Sequence, residues 1–352
     1  MAFADAIYEK LTNEEDARLC SDISQDACRE TPRSFVLLLS SYFFTKLGDA
    51  LASPKTTLAW LTTVVGAPAW VLGFLVPIRE SGSLIPQLFI GGFIRTLGYR
   101  KWVWVAGSIA QCLCIAGIGL VAFTLSGAAA GWAILGLITA FSLARGFCSV
   151  ASKDVLGKTI PKARRGQLTG WSASAAGLVA VGLGAWLVFG AASDFDHVSL
   201  GVLLVAAGSL WLAAAFVYAT VPEHRGATDG GRNLTEALGS LRLLVTDAPF
   251  RRFVTTRALL MCSALSAPFY VALAQQHLGS PPFLLGAFVA AAGIASLVSA
   301  PFWGRFADAS SRTVMIAAAV VTASVGLVTF AADRFVPAVA EAAWFLPLAY
   351  FT

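Results

Sequence analysis

The chain has 352 residues, 57% of them hydrophobic and only 13% charged, with a net charge of +5. A soluble globular protein carries about 25% charged residues, so this composition excludes an ordinary soluble enzyme. The apolar residues fall in long runs instead of at helical or strand periodicity, which points to a bundle of membrane helices. The positive charge does not signal nucleic acid, because the basic residues are scattered between apolar runs and form no single basic face.

Residues 1–33 hold eight acidic and four basic residues and form an aqueous N-terminal segment. Phe3, Ile7 and Leu11 make a narrow apolar stripe, followed by the capping box Thr12-Asn13-Glu14-Glu15. They predict a short helix lying against the membrane or the bundle. Nine apolar spans follow, at 34–53, 67–92, 102–123, 132–152, 168–190, 200–221, 253–274, 283–303 and 313–332. Each is close to the roughly 20 residues that cross a bilayer as a helix, and a helix is required because backbone groups left unpaired in lipid are costly. A tenth run starts at Pro337 and has too few residues before Thr352 to cross comfortably.

These runs divide the chain into a cytoplasmic N-terminal segment (1–33), a six-helix bundle (34–221), a cytoplasmic central loop (222–252) and an incomplete C-terminal bundle (253–352). With the N-terminus inside, the inner segments carry nineteen lysines and arginines and the outer ones only Lys55 and Arg334. That asymmetry is the positive-inside bias of an inner-membrane protein. In the central loop, residues 226–231 read as flexible. Asn233 and Glu236 then cap an expected helix with the stripe Leu234, Leu238, Leu241 and Val245.

Few motifs carry chemistry. Gly157-Lys158-Thr159 has the tail of a phosphate loop but follows a membrane span and has Ser152 where the earlier glycine belongs, so no nucleotide site is expected. The six cysteines lack metal-ligand spacing, and His197, His224 and His277 lie far apart in loops. No metal and no cofactor are expected. The informative residues are charges within spans, which are unfavourable unless paired or facing a wet cavity. Lys46 and Asp49 share one face of the first span, about 16 Å or more from its start. Arg79 and Glu80 lie midway along the second, near Pro77, Gly82 and Pro86, and Arg145 lies in the fourth. Arg257, Lys55 and Asp154 sit near span ends and read as snorkelling groups. The midspan charges read either as an ion-pair network locking three helices or as the lining of a substrate and proton site.

Two connectors share a pattern: Gly91-Gly92-Phe93-Ile94-Arg95-Thr96-Leu97-Gly98-Tyr99-Arg100-Lys101, and Gly304-Arg305-Phe306-Ala307-Asp308-Ala309-Ser310-Ser311-Arg312. They resemble the loop signature of the major facilitator superfamily, which joins the second helix to the third and the eighth to the ninth. Asp308 holds the acidic position in the second copy, and Arg95 stands there in the first. The stretches from Thr45 to Lys55 and from Pro77 to Ser83 resemble a bacterial subgroup of that superfamily. The resemblance implies an all-α polytopic membrane protein with two six-helix halves rocking around a midplane site. It makes Gly91, Arg95, Gly98, Arg100, Lys101, Gly304, Asp308 and Arg312 conformational-switch residues, and it places Arg145 where the superfamily has an arginine linked with proton coupling. It also implies twelve helices, so the gene is expected to continue past Thr352.

The function expected on this basis is secondary active transport of a small molecule by a monomer in a bacterial inner membrane, coupled to protons or another ion. Lys46, Asp49, Arg79, Glu80 and Arg145 are the candidates for substrate or proton binding. A non-transporting receptor or scaffold of the same fold and a polytopic membrane enzyme are the alternatives. The enzyme would need clustered His, Asp or Ser residues at one membrane face, and the sequence has no such cluster.

Overall fold

A computed structural model describes residues 7–8, 23–84, 86–190, 196–226, 228, 239, 242–261, 265–309 and 311–351. Side chains at 88–89, 260–261 and 299–311 are outside that description. Among the described residues every regular element is a helix. In chain order these are α1 (Gln25–Arg29), α2 (Thr31–Leu51), α3 (Thr57–Val64), α4 (Trp70–Leu84), α5 (Gln87–Arg95), α6 (Lys101–Thr124), α7 (Gly127–Thr159) and α8 (Lys162–Phe189). They continue with α9 (His197–Ala219), α10 (Leu243–Thr246), α11 (Ala248–Met261), α12 (Ala267–Leu278), α13 (Pro282–Ala309), α14 (Ser311–Phe335), α15 (Pro337–Ala340) and α16 (Phe345–Phe351).

Among the described residues, five helices are long and apolar enough to cross a membrane: α6, α7, α8, α9 and the Arg312–Phe335 part of α14. The first expected span is the 21-residue helix α2, which Lys46, Asp49 and six hydroxyl side chains make more polar than the others. The second expected span, 67–92, is not one helix. It is split into α4 and α5, with Pro86 between them as the N-cap of the second. Proline lacks an N–H and disfavours helix in the residue before it, so a break here has a local cause, whereas Pro77 lies inside α4 without ending it. The seventh expected span, 253–274, is represented by α11 and α12 on either side of residues 262–264, which lie outside the description. The expected capping box at Thr12 and most of the expected loop helix after Asn233 also lie outside it. Of that loop helix only the short α10 is seen.

One helix was not expected at all. Residues 54–66 read as an outer loop, yet Leu58, Ala59, Trp60 and Leu61 on α3 are fully buried. At about 12 Å this eight-residue helix is too short to cross, and it wedges between α4 and α12 instead. Gly66, with φ of 70°, turns the chain out of α3 in a conformation a side chain would strain, and Gly127 donates its N–H to the Val65 carbonyl at 2.8 Å.

Helices α2, α4, α6, α7, α8 and α9 pack on one another, with α6 lying along both α7 and α9, and α2 along α8 and α9. Helix α8 then packs along α13. The seam is made by glycines at matching heights: a Cβ on Gly184 would lie 2.6 Å from the Ala290 nitrogen, one on Gly286 would lie 2.7 Å from the Gly184 carbonyl, and Gly293 faces the Gly177 carbonyl. Small residues permit this backbone approach, which replaces the hydrophobic drive that lipid does not supply. Large apolar side chains such as Phe189, Phe216 and Leu327 point outward, as a lipid-facing surface requires. Asp196 caps α9 by accepting from the Ser199 N–H at 3.0 Å, a bond that holds its carboxyl below the ordinary range. Cys28, in α1, is disulfide-bonded.

The buried apolar residues form two clusters. One holds Trp60, Val71, Ile118, Phe141, Trp211 and Phe288, and the other Phe35, Leu38, Trp104, Leu168 and Tyr218. Along α2, α4 and α7 the midspan charges fall between the two. The seam gives a direct test of the packing. Gly184→Ala drives a methyl into backbone atoms that cannot yield without parting the helices, so it should lower unfolding stability by about 1–3 kcal/mol. Gly182→Ala, on the same helix but with nothing within 4 Å of its would-be Cβ, should leave the thermal midpoint unchanged.

Candidate functional site

Asp49, on the cavity-facing side of α2, sits between two guanidinium groups from two other helices. Arg79 of α4 donates from Nη2 to Asp49 Oδ1 at 2.9 Å, and Arg145 of α7 pairs through Nη2 with Oδ2. The Asp49 and Arg79 side chains are 23% and 12% exposed, so the trio is largely removed from solvent. Its supports are equally specific. The Arg79 guanidinium lies over the Phe141 ring at 4.6 Å, and Phe141 meets Trp211 edge-on at 5.3 Å. A Cβ on Gly48 would lie 2.8 Å from the Trp211 ring, so the glycine beside Asp49 is what lets α2 approach α9 this closely. Arg145 also donates to Gln111 Oε1 at 3.4 Å, and Gln111 in turn donates to Cys148 Sγ.

Two cavities meet at Lys46. One, of about 460 Å³, opens among α2, α6, α7 and α8, and its lining includes Lys46, Arg145, Gln111 and Lys153. The other, of about 530 Å³, lies between α2 and α8 on one side and α12, α13 and α16 on the other, and its lining includes Lys46, Asp49 and Lys55. Among the described residues, Lys46 forms no ion pair or hydrogen bond, and neither does the Glu80 carboxylate. The structure therefore brings Lys46, Asp49, Arg79 and Arg145 together, with Glu80 close enough to act on Arg79 electrostatically but bonded to none of them. Lys55, read as a snorkelling group, lines the second cavity instead.

A second charged cluster ties helix ends at the connector between α5 and α6. The Glu223 carboxylate, whose side chain is 0% exposed, accepts from the backbone N–H groups of Arg100 and Lys101 at 2.8–3.0 Å. It thereby caps the N-terminus of α6, where the helix dipole favours negative charge. Arg100 donates to the Ile94 and Leu97 carbonyls at the end of α5 and pairs with Asp154 of α7. Lys101 donates to the Ala219 and Val221 carbonyls at the end of α9, at 3.1 and 2.9 Å. Lys158 joins Asp154 at 2.7 Å to Glu223 at 3.2 Å.

Helices of this length, joined by these glycine-bearing basic connectors, leave few families to consider, and a family model decides among them. The Major Facilitator Superfamily model matches residues 38–351. The chain belongs to that superfamily. No curated protein matches the chain. Membership makes it an all-α polytopic membrane protein of a transporter family. Its first superfamily loop is short, because Gly91 and Arg95 lie within α5 and Lys101 already begins α6. Gly98 accepts from the Gly226 N–H at 3.0 Å, which brings the start of the central loop beneath it. In the second copy Gly304 and Asp308 lie on α13, with surroundings outside the described side chains, and Arg312 is exposed on α14.

Four residues of these sites escaped the sequence reading. Asp154 was set aside as a snorkelling group, but it is the partner of Arg100 and Lys158. Glu223 was passed over, although an acid just after a span in the most basic part of the chain was a usable signal. Gln111 and Phe141 gave no signal, since nothing in an apolar run says which polar or aromatic residue faces a charge. Glu223→Gln should keep some N–H capping but leave Lys158 short of a partner. Breaking a buried pair of this kind costs about 3–5 kcal/mol, so the variant should unfold well below the parent in a thermal melt. Asp154→Asn, at a more exposed carboxylate, should lose less.

Proposed function

We propose that this superfamily member is a secondary active transporter that moves a small solute by alternating access and couples the movement to protons. The observation that carries the reading is the Asp49 carboxylate held between Arg79 and Arg145 where two cavities meet. A carboxylate so placed has two stable arrangements. Ionised, it holds both arginines by charge-assisted bonds. Protonated by water from one side, it loses those bonds and frees Arg145 towards the cavity. Return of the proton to the other side restores the trio. Glu80, next to Arg79 on α4, is the second carboxyl able to carry the proton.

In this reading residues 34–221 and 253–352 act as two bundles that rock about the α8–α13 seam, linked by 222–252 and preceded by the segment 1–33. The connector residues Arg95, Arg100 and Lys101, with their counterparts Asp308 and Arg312, act as the switch at the inner face. The protein works as a monomer in a bacterial inner membrane with its N-terminus in the cytoplasm. The basic residues of the inner loops support that orientation. The disulfide at Cys28 weighs against it, because disulfides are rare in a reducing compartment.

Two experiments test these points. His224→Cys should be shielded from an impermeant thiol reagent applied outside intact cells, and His277→Cys should be labelled. The reverse result inverts the topology. In proteoliposomes with an imposed proton gradient, Glu80→Gln and Asp49→Asn should each be assayed for accumulation of a solute the parent takes up and for its counterflow exchange. At least one variant should lose accumulation while keeping exchange. If both accumulate like the parent at every pH tested, the charges are structural and proton coupling through them is wrong.

A further inference from the structure

We infer that the ligand of the paired cavities is a small organic anion, carrying a carboxylate or a phosphate group. By the transport reading above, on which this step rests, that anion is the solute carried. The argument is the charge balance of the lining. Lys46, Lys55, Arg145 and Lys153 face the two cavities, and the one acid among the described lining residues is Asp49. Asp49 is already engaged by Arg79 and Arg145. Lys46 stands at the junction in no hydrogen bond or salt bridge among the described residues, sharing the single Asp49 charge with two arginines, and an ammonium so under-compensated within a span is unfavourable until an anion or water reaches it.

The geometry suits such a ligand in three further respects. The cavities are of the size that holds small organic molecules. Arg145 offers a planar fork that fits carboxylate or phosphate oxygens, and Lys46 adds a mobile point charge one helical turn from Asp49. Hydroxyl and amide groups of Tyr42, Gln111, Ser149 and Ser152 line the inner cavity and can bond the rest of a hydroxylated ligand. A cationic ligand would instead meet Lys46 and Arg145, with no free acid among the described lining residues to receive it. The inference also closes the proton cycle. When Asp49 is protonated, a bound anion replaces it as the partner of Arg145, so proton and anion cross together, and a monoanion moves with no net charge.

The purified chain in lipid nanodiscs is to be melted with lactate, succinate, citrate and glycerol 3-phosphate, and with glucose and putrescine as neutral and cationic counterparts. At least one anion should raise the melting temperature in a saturable way, and glucose and putrescine should not. The carboxylate and phosphate probes separate the two headgroup chemistries. Lys46→Gln should weaken the effective affinity by at least about tenfold, and Lys46→Arg should retain it. A readout independent of Lys46 substitution is the modification of Ser149→Cys by methanethiosulfonates, in which the thiolate forms a mixed disulfide and methanesulfinate leaves. After subtraction of the parent rate, and with each rate taken relative to that reagent's rate with a free thiol, a sulfonate-bearing methanethiosulfonate should react several-fold faster than a quaternary-ammonium one. Stabilisation by none of the anions, stabilisation by putrescine, or a faster reaction with the cationic reagent each overturns the inference. Anion binding without uptake in proteoliposomes leaves it standing and removes the transport reading. Uptake of a neutral or cationic solute unaffected by Lys46→Gln does the opposite.

Discussion

A charge at the depth of a bilayer core needs a countercharge within hydrogen-bonding reach, and Asp49 is where this chain meets that demand. One carboxylate facing two guanidiniums binds three helices, α2, α4 and α7, through two pairs that share an acid. The pairing in turn depends on apolar packing. Gly48 lets α2 settle on Trp211, Trp211 supports Phe141, and the Phe141 ring supports the Arg79 guanidinium. The charges are thus held by the junction of the two buried clusters instead of interrupting a single one. The trio carries a net positive charge when all three groups are ionised, and Lys46 beside it adds another. Glu80, next to Arg79, offsets part of that surplus, and on the proposal above a ligand anion would answer the rest.

The cluster at the α5–α6 connector obeys the same electrostatics with a different outcome. Helix N-termini favour negative groups and C-termini favour positive ones, because unpaired N–H groups point out of one end and carbonyls out of the other. Glu223 closes the start of α6, while Arg100 and Lys101 close the ends of α5 and α9. Two residues adjacent in sequence therefore secure the ends of two different helices, and their own N–H groups are closed by Glu223. Here the two acids Asp154 and Glu223 pair with Arg100 and Lys158, and the third base, Lys101, is directed to the Ala219 and Val221 carbonyls.

Much of this was legible in the sequence for a physical reason. Long apolar runs broken by basic loops permit little besides membrane helices, and a charge inside such a run stands out against its surroundings. Lys46, Asp49 and Arg145 are visible on that ground alone. The pairing was less accessible. Arg79 and Glu80 are neighbours in the chain, but about 100° of helix rotation separates them, so a register shift of one residue decides which faces α2. The structure turns Arg79 to Asp49 and leaves Glu80 aside. Helix α3 was illegible for another reason. Eight residues flanked by Lys55 and Gly66 look the same whether they form a solvated loop or a buried wedge, and only contact with α4 and α12 settles the matter.

The two kinds of contact in the molecule differ in what it takes to break them. Each ion pair identified above joins helices on the same side of the α8–α13 seam. Parting such a pair strands a charge, so α2, α4 and α7 are bound to move together. The seam itself is built from Gly177, Gly184, Gly286 and Gly293, and separating those backbones exposes only small apolar surfaces to lipid or to water in the cavity. A contact of that kind can open and close with little electrostatic penalty. The chemistry that anchors Asp49 and the packing that leaves the seam free are therefore complementary. On the transport reading proposed above, the first would keep the binding groups in register, and the second would let the cavities beside Lys46 change their exposure without disturbing them.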